Sequence, residues 1–318
     1  MKKKATGVSH AKVIFLGEHS AVYRQPAIVF PVPQATVTAT IMRSPQSETI
    51  ICSDYYSGKV TGLPASMAGI TTLLNQLQVE LNPTEIPLEL TINSTIPLGR
   101  GMGSSAAIAS AIIRSYFNFF EVPLSREQLT KYTDIEEHIT HGNPSGIDAQ
   151  TVNANHPILF EKQQFIDFTP PLTGFLIIAD TGRASNTKTA VTQVHEFLTA
   201  DPVREELITR LGTLTERVKE NLAQQDLIQT GKNLTEAQEI LATLGVSTPE
   251  IEQLITTANR AGALGAKLTG SGLGGCIIAL APDYPSAQHI ASDLQKQGAH
   301  QTWIQSLADL NPQEDRHE

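Results

Sequence analysis

The order of apolar and polar positions predicts a chain of mixed strands and helices. Apolar residues alternate with polar ones, as in a half-buried strand, at Ile86, Leu88, Leu90 and Ile92. Residues 105–120, which follow, are mostly small or apolar and predict a buried helix. Short apolar or β-branched stretches at 13–16 and 36–41 predict two further strands. Ser125 and Gln128 have the spacing of a capping box, which predicts the start of another helix.

The part of the chain after residue 172 is richer in amphipathic helices. Apolar residues recur every three or four positions in 203–218, 234–244 and 251–258, which predicts three helices that each bury one face. Strands are predicted at 175–179, 266–269, 276–280 and 301–304, and one more helix at 286–296. We therefore predict an α+β protein of two domains, 1–172 and 173–318.

Composition narrows the classes of function. The 318 residues are 40% hydrophobic and 17% charged, as in an ordinary globular protein. A net charge of −9 argues against a nucleic-acid partner and against an anionic membrane surface. Apolar runs fall short of the roughly 18 residues of a membrane span, and Cys52 and Cys276 give no disulfide framework. We therefore expect a cytoplasmic protein that does not act at a membrane.

The most informative motif is a glycine-rich loop between the strand near 86–92 and the helix 105–120. Its residues are Pro97, Leu98, Gly99, Arg100, Gly101, Met102, Gly103, Ser104, Ser105, Ala106 and Ala107. A strand, a glycine turn and a helix start expose several backbone N–H groups and the positive end of a helix dipole, which together suit a phosphate. A bound nucleotide is the first hypothesis, and a plain strand-to-helix turn is the structural alternative.

The spacing of the glycines matches neither of two common phosphate loops. A Walker A loop needs Gly-Lys followed by Ser or Thr, which this loop lacks. The order here is GxGxG, whereas a dinucleotide-binding fold uses GxGxxG. Glu121 lies where such a fold would have its ribose-binding acid, so spacing alone leaves a dinucleotide oxidoreductase open as a remote alternative.

Three further stretches carry side chains suited to chemistry. Lys12 begins a short apolar strand that is followed by Glu18 and His19, at the kind of position where scaffolds present groups to ligands. A helix ends in the dense turn 141–148, with the sequence HGNPSGID, which delivers a carboxylate. A second glycine loop lies within 267–276, between two strand-like segments.

Taken together, these four stretches resemble the GHMP kinase superfamily and, within it, the mevalonate kinase family. The segments KVIFLGEH, which begins at Lys12, and HGNPSGID, which ends at Asp148, are the more selective ones. The glycine loop is typical of the whole superfamily. The order of the four stretches also matches the family's order, so the resemblance spans nearly the whole chain. One departure is Ser271-Gly272-Leu273, where the family often has Ala-Gly-Gly.

The resemblance implies a fold and a reaction. The fold would join an N-terminal domain like ribosomal protein S5 domain 2 to a ferredoxin-like C-terminal domain. The reaction would transfer a phosphoryl group from ATP, with Mg²⁺, to the terminal hydroxyl of mevalonate, giving 5-phosphomevalonate for isoprenoid biosynthesis. The partners would be these small molecules, and a homodimer is left open. The alternatives are another GHMP kinase, such as one for phosphomevalonate, and a catalytically silent relative that senses a ligand.

The resemblance also implies roles for individual residues. Asp148 would accept the proton of the attacking hydroxyl, while Lys12 would hold Asp148 ionised and stabilise the developing alkoxide. Ser105 and Glu137 would bind Mg²⁺, with Glu137 chosen over Glu136 by the family's spacing and not by helical geometry. The glycine loop would bind ATP. The acceptor pocket would be lined by Lys12, Glu18, His19, Ser145, Asp148 and Thr181.

Overall fold

The chain folds into two compact units that interleave along the sequence. The structure is a computed structural model that describes residues 1–141 and 146–311. The first unit consists of Met1–Ala11, Ala35–Pro97 and Gly103–Asn153. The second consists of Lys12–Gln34, Leu98–Met102 and the described residues from Ala154 onward. The domain boundary near residue 172 stays a prediction.

Strands and helices account for most of the described residues. The strands are β1 Lys4–Leu16, β2 Ala27–Arg43, β3 Ile50–Cys52, β4 Ser57–Lys59, β5 Leu88–Ser94, β6 Ile158–Glu161, β7 Gln164–Asp167, β8 Phe175–Asp180, β9 Gly265–Thr269, β10 Cys276–Ala281 and β11 Gln301–Ser306. The α-helices are α1 Ala68–Leu81, α2 Ser104–Phe120, α3 Arg126–His141, α4 Ile147–Thr151, α5 Thr187–Thr199, α6 Glu205–Ala223, α7 Leu227–Thr243, α8 Pro249–Arg260 and α9 Tyr284–Lys296. Within the described ranges, no helix combines the length and the apolar character that crossing a membrane would require.

The first unit is built around strand β5 and three helices. Strand β2 pairs antiparallel with β5, from Val37 opposite Ser94 to Arg43 opposite Leu88. Strand β3 runs parallel to β5 and forms a hairpin with β4. Helices α1, α2 and α3 pack against one another, and α2 is apolar on most of its surface, with Ile112 fully buried. Burial of α2 therefore fixes its first residue, Ser104, within the packed core of this unit.

The second unit contains a four-stranded antiparallel sheet in the order β11–β8–β10–β9. Every residue of β9 and β10 is buried, because helices α7, α8 and α9 pack against these strands. The first residues of β2 also belong to this unit, where they pair with β6, which in turn pairs with β7. At one end of the four-stranded sheet Cys276 lies opposite both Asp180 and Thr269, so three strands end close together there.

Strand β1 is much longer than the sequence predicts. The stretch expected at 13–16 is only the end of a strand of 13 residues. Its earlier buried positions are held by the small residues Ala5, Gly7 and Ser9, which give no apolar pattern. Packing explains the smallest of them, because a Cβ on Gly7 would lie 2.1 Å from the carbonyl oxygen of Ala111 in α2. This part of β1 is therefore buried because small residues let it lie close to α2, and large apolar side chains are not needed.

Candidate active site

The glycine loop has the left-handed backbone that its sequence indicates. Gly99, Gly101 and Gly103 have φ angles of 66°, 75° and 69°, a region that side chains other than glycine rarely adopt. Helix α2 then begins at Ser104, with Gly103 as a cap that supplies no side-chain hydrogen bond. The first N–H groups of an α-helix have no partner within the helix, and the positive end of the helix dipole lies with them. This geometry suits a phosphate.

The loop residues Leu98–Met102 are held by contacts within the second unit. The carbonyl of Met102 accepts a hydrogen bond of 3.0 Å from the N–H of Lys12, and the carbonyl of Gly99 accepts one of 2.7 Å from the N–H of Ser185. Gly101 lies against the second glycine loop, where a Cβ on Gly101 would stand 3.3 Å from the Cα of Gly270. The two glycine loops therefore touch through their backbones, which requires glycine on both sides.

Ser105 and two adjacent glutamates bring hard oxygen atoms together in the first unit. The hydroxyl of Ser105 donates to Oε1 of Glu136 at 2.6 Å. Glu136 and its neighbour Glu137, both on α3, are 2% and 3% exposed. Mg²⁺ prefers such oxygen ligands, so these residues fit the ion that the sequence predicts. No group of three or more His, Cys, Asp or Glu side chains arranged for a metal occurs in the described parts of the chain, so the fit rests on this small set.

The hydroxyl of Ser105 donates its hydrogen bond to Glu136, whereas the prediction from sequence pairs Ser105 with Glu137. Consecutive residues of a helix point about 100° apart, so the two carboxylates face different directions. The contact between Ser105 and Glu136 depends on how α2 packs against α3, which the sequence alone does not show. The assignment of Glu137 as the magnesium ligand stays a prediction.

Asp148 is delivered by a short helix in the first unit. Gly146, with a φ of 74°, turns the chain into α4, and Asp148 is the second residue of that helix and half-buried. Its backbone carbonyl accepts a hydrogen bond of 3.0 Å from Val152, which fixes the turn that carries the side chain. The preceding Ser145 lies outside the described residues, together with 142–144, so its predicted contact with substrate stays a prediction.

Lys12, Glu18 and His19 lie in the second unit, in and after the last part of β1, and all three are buried. Their exposures are 3%, 1% and 7%. Glu18 forms an ion pair with Lys267 of β9, whose side chain also donates to the carbonyl of Leu268 at 2.6 Å. Nε2 of His19 donates to the carbonyl of Ser271 at 3.0 Å. These contacts hold Glu18 and His19 against β9 and against the second glycine loop, which follows β9.

Burial decides the protonation tendencies of this cluster. Loss of water raises the pKa of Glu18, an effect that the charges of Lys267 and Lys12 oppose. The same loss of water lowers the pKa of Lys267, with Glu18 acting in the opposite direction. Burial also lowers the pKa of His19 below its ordinary value, so this imidazole is neutral near pH 7 and can donate through one nitrogen and accept through the other.

Thr181 and Leu273 shape the second glycine loop. The hydroxyl of Thr181 donates to the carbonyl of Gly275 at 2.7 Å, so this predicted substrate residue also supports the loop. Leu273 has a φ of 57°, which is strained for a leucine, and its N–H donates to the carbonyl of Val246 at 2.7 Å. Leu273 therefore occupies a left-handed backbone position of the kind that glycine usually fills.

The described structure thus divides the predicted site residues between the two units. Ser105, Glu137 and Asp148 lie in the first, and the second contains Lys12, Glu18, His19 and Thr181. Lys267 and Asp180 were not predicted from the sequence as functional candidates. Both are charged residues in otherwise apolar buried strands, a signal that could have identified them.

Comparisons with known proteins agree with the motifs. Residues 68–154 match the sequence profile of the GHMP kinases N terminal domain, and residues 218–300 match that of the GHMP kinases C terminal. The chain is 31% identical over 302 residues to the mevalonate kinase of Pyrococcus horikoshii, covering 89% of this chain and 90% of that protein.

Two solved structures have the same architecture. The crystal structure of mevalonate kinase from methicillin-resistant Staphylococcus aureus MRSA252 matches with a TM-score of 0.77 and 31% identity, covering 96% of this chain and 100% of that one. The crystal structure of L. major mevalonate kinase in complex with R-mevalonate matches with a TM-score of 0.83 and 24% identity, covering 96% of each chain. The predicted α+β fold is confirmed. Because sequence similarity extends over both halves and all four motifs are present, the chain belongs to the GHMP kinase superfamily and, within it, to the mevalonate kinase family.

Proposed function

We propose that this protein transfers the γ-phosphoryl group of ATP to the terminal hydroxyl of mevalonate, giving 5-phosphomevalonate and ADP for isoprenoid biosynthesis. The observation that carries the proposal is the presence of Lys12, Ser105, Glu137 and Asp148 in a chain 31% identical to a protein named mevalonate kinase over 89% of its length. A ligand-sensing relative without activity has no need to keep all four residues.

The nucleotide phosphates would bind at the glycine loop. Its left-handed glycines and the start of α2 at Ser104 support this location, because backbone N–H groups at glycine turns and helix starts bind phosphate oxygens without a lysine from a Walker motif. In phosphoryl transfer the protein mainly positions groups and stabilises charge, because the transition state is loose and its negative charge is spread over oxygen atoms. Backbone N–H donors can meet that requirement, because they need no reorganisation when the charge develops.

Asp148 would orient the acceptor hydroxyl and accept its proton late in the transfer. An ordinary aspartate is too weak a base to remove a proton from an alcohol beforehand, so its main contribution is orientation. Lys12, which is 3% exposed, would place a positive charge beside the developing alkoxide. A buried ammonium is effective in this role because little water screens it.

Mg²⁺ would be held by Ser105 and Glu137, with Glu136 next to Glu137 on α3. When bound, the ion supplies charge neutralisation at the phosphate oxygens. The adjacent hydroxyl and carboxylate oxygens of Ser105 and Glu136, 2.6 Å apart, support this location. Glu137 remains the proposed carboxylate ligand.

A coupled assay of ADP release tests the function. Purified protein with ATP and MgCl₂ is given mevalonate, phosphomevalonate, homoserine or galactose in turn, with Asp148→Ala as the control for contaminating kinases. We expect acceptor-dependent ADP release with mevalonate well above the other three. Preference for phosphomevalonate would assign the protein to the neighbouring kinase activity, and ADP release independent of every acceptor would contradict the proposal.

A further inference from the structure

The glycine loop carries one charged side chain, Arg100, and this side chain is directed into the second unit. Nε of Arg100 lies 2.9 Å from Oδ1 of Asp180, the last residue of β8. Nη2 donates to the carbonyl of Gly182 at 2.9 Å. Only 17% of the arginine side chain is exposed. An arginine in a phosphate loop would ordinarily be expected to bind phosphate, but this one pairs with a buried carboxylate and donates through Nη2 to a backbone carbonyl.

Asp180 is built to receive that arginine. Its side chain is fully buried, and Oδ1 also accepts a hydrogen bond of 2.8 Å from the N–H of Gly182. Oδ2 is buried and has no hydrogen-bond partner in the described structure. Arg100 is therefore the cation that offsets the burial of this carboxylate. Such a charge is expensive to bury alone, which ties the position of Arg100 to that of Asp180.

The backbone on either side of Arg100 is held to the same region. Gly99 is bonded through its carbonyl to both the N–H and the hydroxyl of Ser185, at 2.7 Å and 3.2 Å. Gly101 touches Gly270, and a Cβ on Gly275 would lie 2.9 Å from the carbonyl oxygen of Arg100. Three consecutive loop residues are thus fixed, and the ion pair is the one charged link among these contacts.

We propose that Arg100 is a positioning residue that acts through Asp180 and fixes the glycine loop in its phosphate-binding conformation. It does not itself bind the nucleotide. The loop N–H groups bind phosphate only while the loop keeps its curvature, and the Arg100–Asp180 ion pair holds that curvature against the end of β8. This inference rests on the proposed use of ATP.

A double-mutant cycle in the full-length protein tests it. Arg100→Met should raise KM for ATP and the dissociation constant of ATP about tenfold, the effect of losing one charge-assisted hydrogen bond. In the wild-type background, Asp180→Asn should raise KM and the dissociation constant for ATP by a smaller factor, roughly threefold, because the amide oxygen can still accept from the N–H of Gly182. In the Arg100→Met background, Asp180→Asn should cause no further rise, since its partner is already absent. KM for mevalonate should stay constant throughout.

Direct phosphate binding by Arg100 gives a different pattern. Asp180→Asn would then release the guanidinium towards the nucleotide, and KM for ATP would fall or stay the same. That result would overturn the inference, as would an unchanged KM for ATP in Arg100→Met. Arg210→Met is the matched control, because Arg210 forms a partly exposed ion pair with Glu236 on α6 and α7, and its KM values should equal those of wild type.

Separate controls distinguish a loss of folding from a loss of ATP binding. Rates are expressed per folded protein, measured by near-UV circular dichroism, and Arg100→Lys serves if Arg100→Met does not fold. The lysine keeps the charge but loses the planar guanidinium group, so KM for ATP should exceed that of wild type by less than the tenfold expected for Arg100→Met. A lysine variant equal to wild type would contradict the inference. Wild-type protein without mevalonate-dependent ADP release would instead contradict the proposed function.

Discussion

Replacing Lys267 with methionine should cost far more stability than its single ion pair suggests. Lys267 and Glu18 are 0% and 1% exposed, so the change leaves a buried carboxylate without its cation. Breaking a buried pair from one side typically costs about 3–5 kcal/mol, because the remaining charge keeps its desolvation penalty. Methionine has nearly the length of the lysine stem, so little of this cost comes from a cavity.

A double variant that removes both charges should recover most of the lost stability. Lys267→Met together with Glu18→Gln removes both charges, and the free energy of unfolding should return to within about 2 kcal/mol of wild type, since neutralised pairs are often tolerated. Lys59→Met is the control, because Lys59 pairs with Glu48 at 2.5 Å on the surface, with side-chain exposures of 58% and 44%. An exposed pair contributes about 0–1 kcal/mol.

Urea denaturation at pH 7, followed by both tryptophan fluorescence and circular dichroism, measures these differences. Two probes are needed because a chain of two units can unfold in more than one step. The reasoning is refuted if Lys267→Met costs no more than Lys59→Met, or if the double variant is as unstable as the single one.

Three further changes test the site. Asp148→Ala should lower kcat by about 10²-fold or more while ATP still binds, the usual scale for a positioned acid–base group, as shown by steady-state kinetics and nucleotide titration. Glu137→Ala should raise the Mg²⁺ concentration needed for half-maximal rate more than Glu136→Ala does, as measured by metal titration. Burial lowers the pKa of His19 below 6.5, so the unfolded chain binds a proton more readily than the folded protein, and the wild type loses stability as the pH falls below 6.5. His19→Gln should make this loss of stability smaller.

Each change has an outcome that contradicts its premise. Near-normal turnover of folded Asp148→Ala would show that Asp148 is not needed for the reaction. A larger metal requirement in Glu136→Ala would transfer the ligand role to Glu136, the residue that Ser105 contacts. The third comparison uses urea unfolding between pH 7.5 and 5.5, with His289→Gln as control because His289 is 61% exposed. Equal pH dependence in wild type and His19→Gln would show that His19 titrates normally.

The amphipathic helices and the capping box were predictable because they depend on residues close together in the sequence. Helices α6, α7 and α8 were found because each buries one apolar stripe. The capping box is also confirmed, since Gln128 N donates to the Ser125 hydroxyl at 3.1 Å and Ser125 N donates to the Gln128 side chain at 3.0 Å. Helix α1 was overlooked although five of its residues are buried, and β3 and β4 were missed because three-residue strands show no usable alternation.

The site was predictable as motifs but not as contacts. The glycine loop and the helix that follows it could be predicted, because glycine spacing and small apolar residues act locally. The ion pair of Glu18 with Lys267 joins residues 249 positions apart, and no spacing rule covers such a distance. Likewise, the hydrogen bond from Ser105 to Glu136 and not Glu137 depends on the packing of α2 against α3, which is a property of the folded unit.

The central claim is that Lys12, Ser105 and Asp148 act on one reaction, in which a nucleotide's terminal phosphate meets an alcohol. A crystal structure of the wild-type protein with mevalonate, Mg²⁺ and a non-hydrolysable ATP analogue tests it most directly. The account predicts a mevalonate hydroxyl within hydrogen-bond distance of Asp148 and in line with the γ-phosphate, with Lys12 beside the carboxylate. Mevalonate or the nucleotide bound away from these three residues would contradict it.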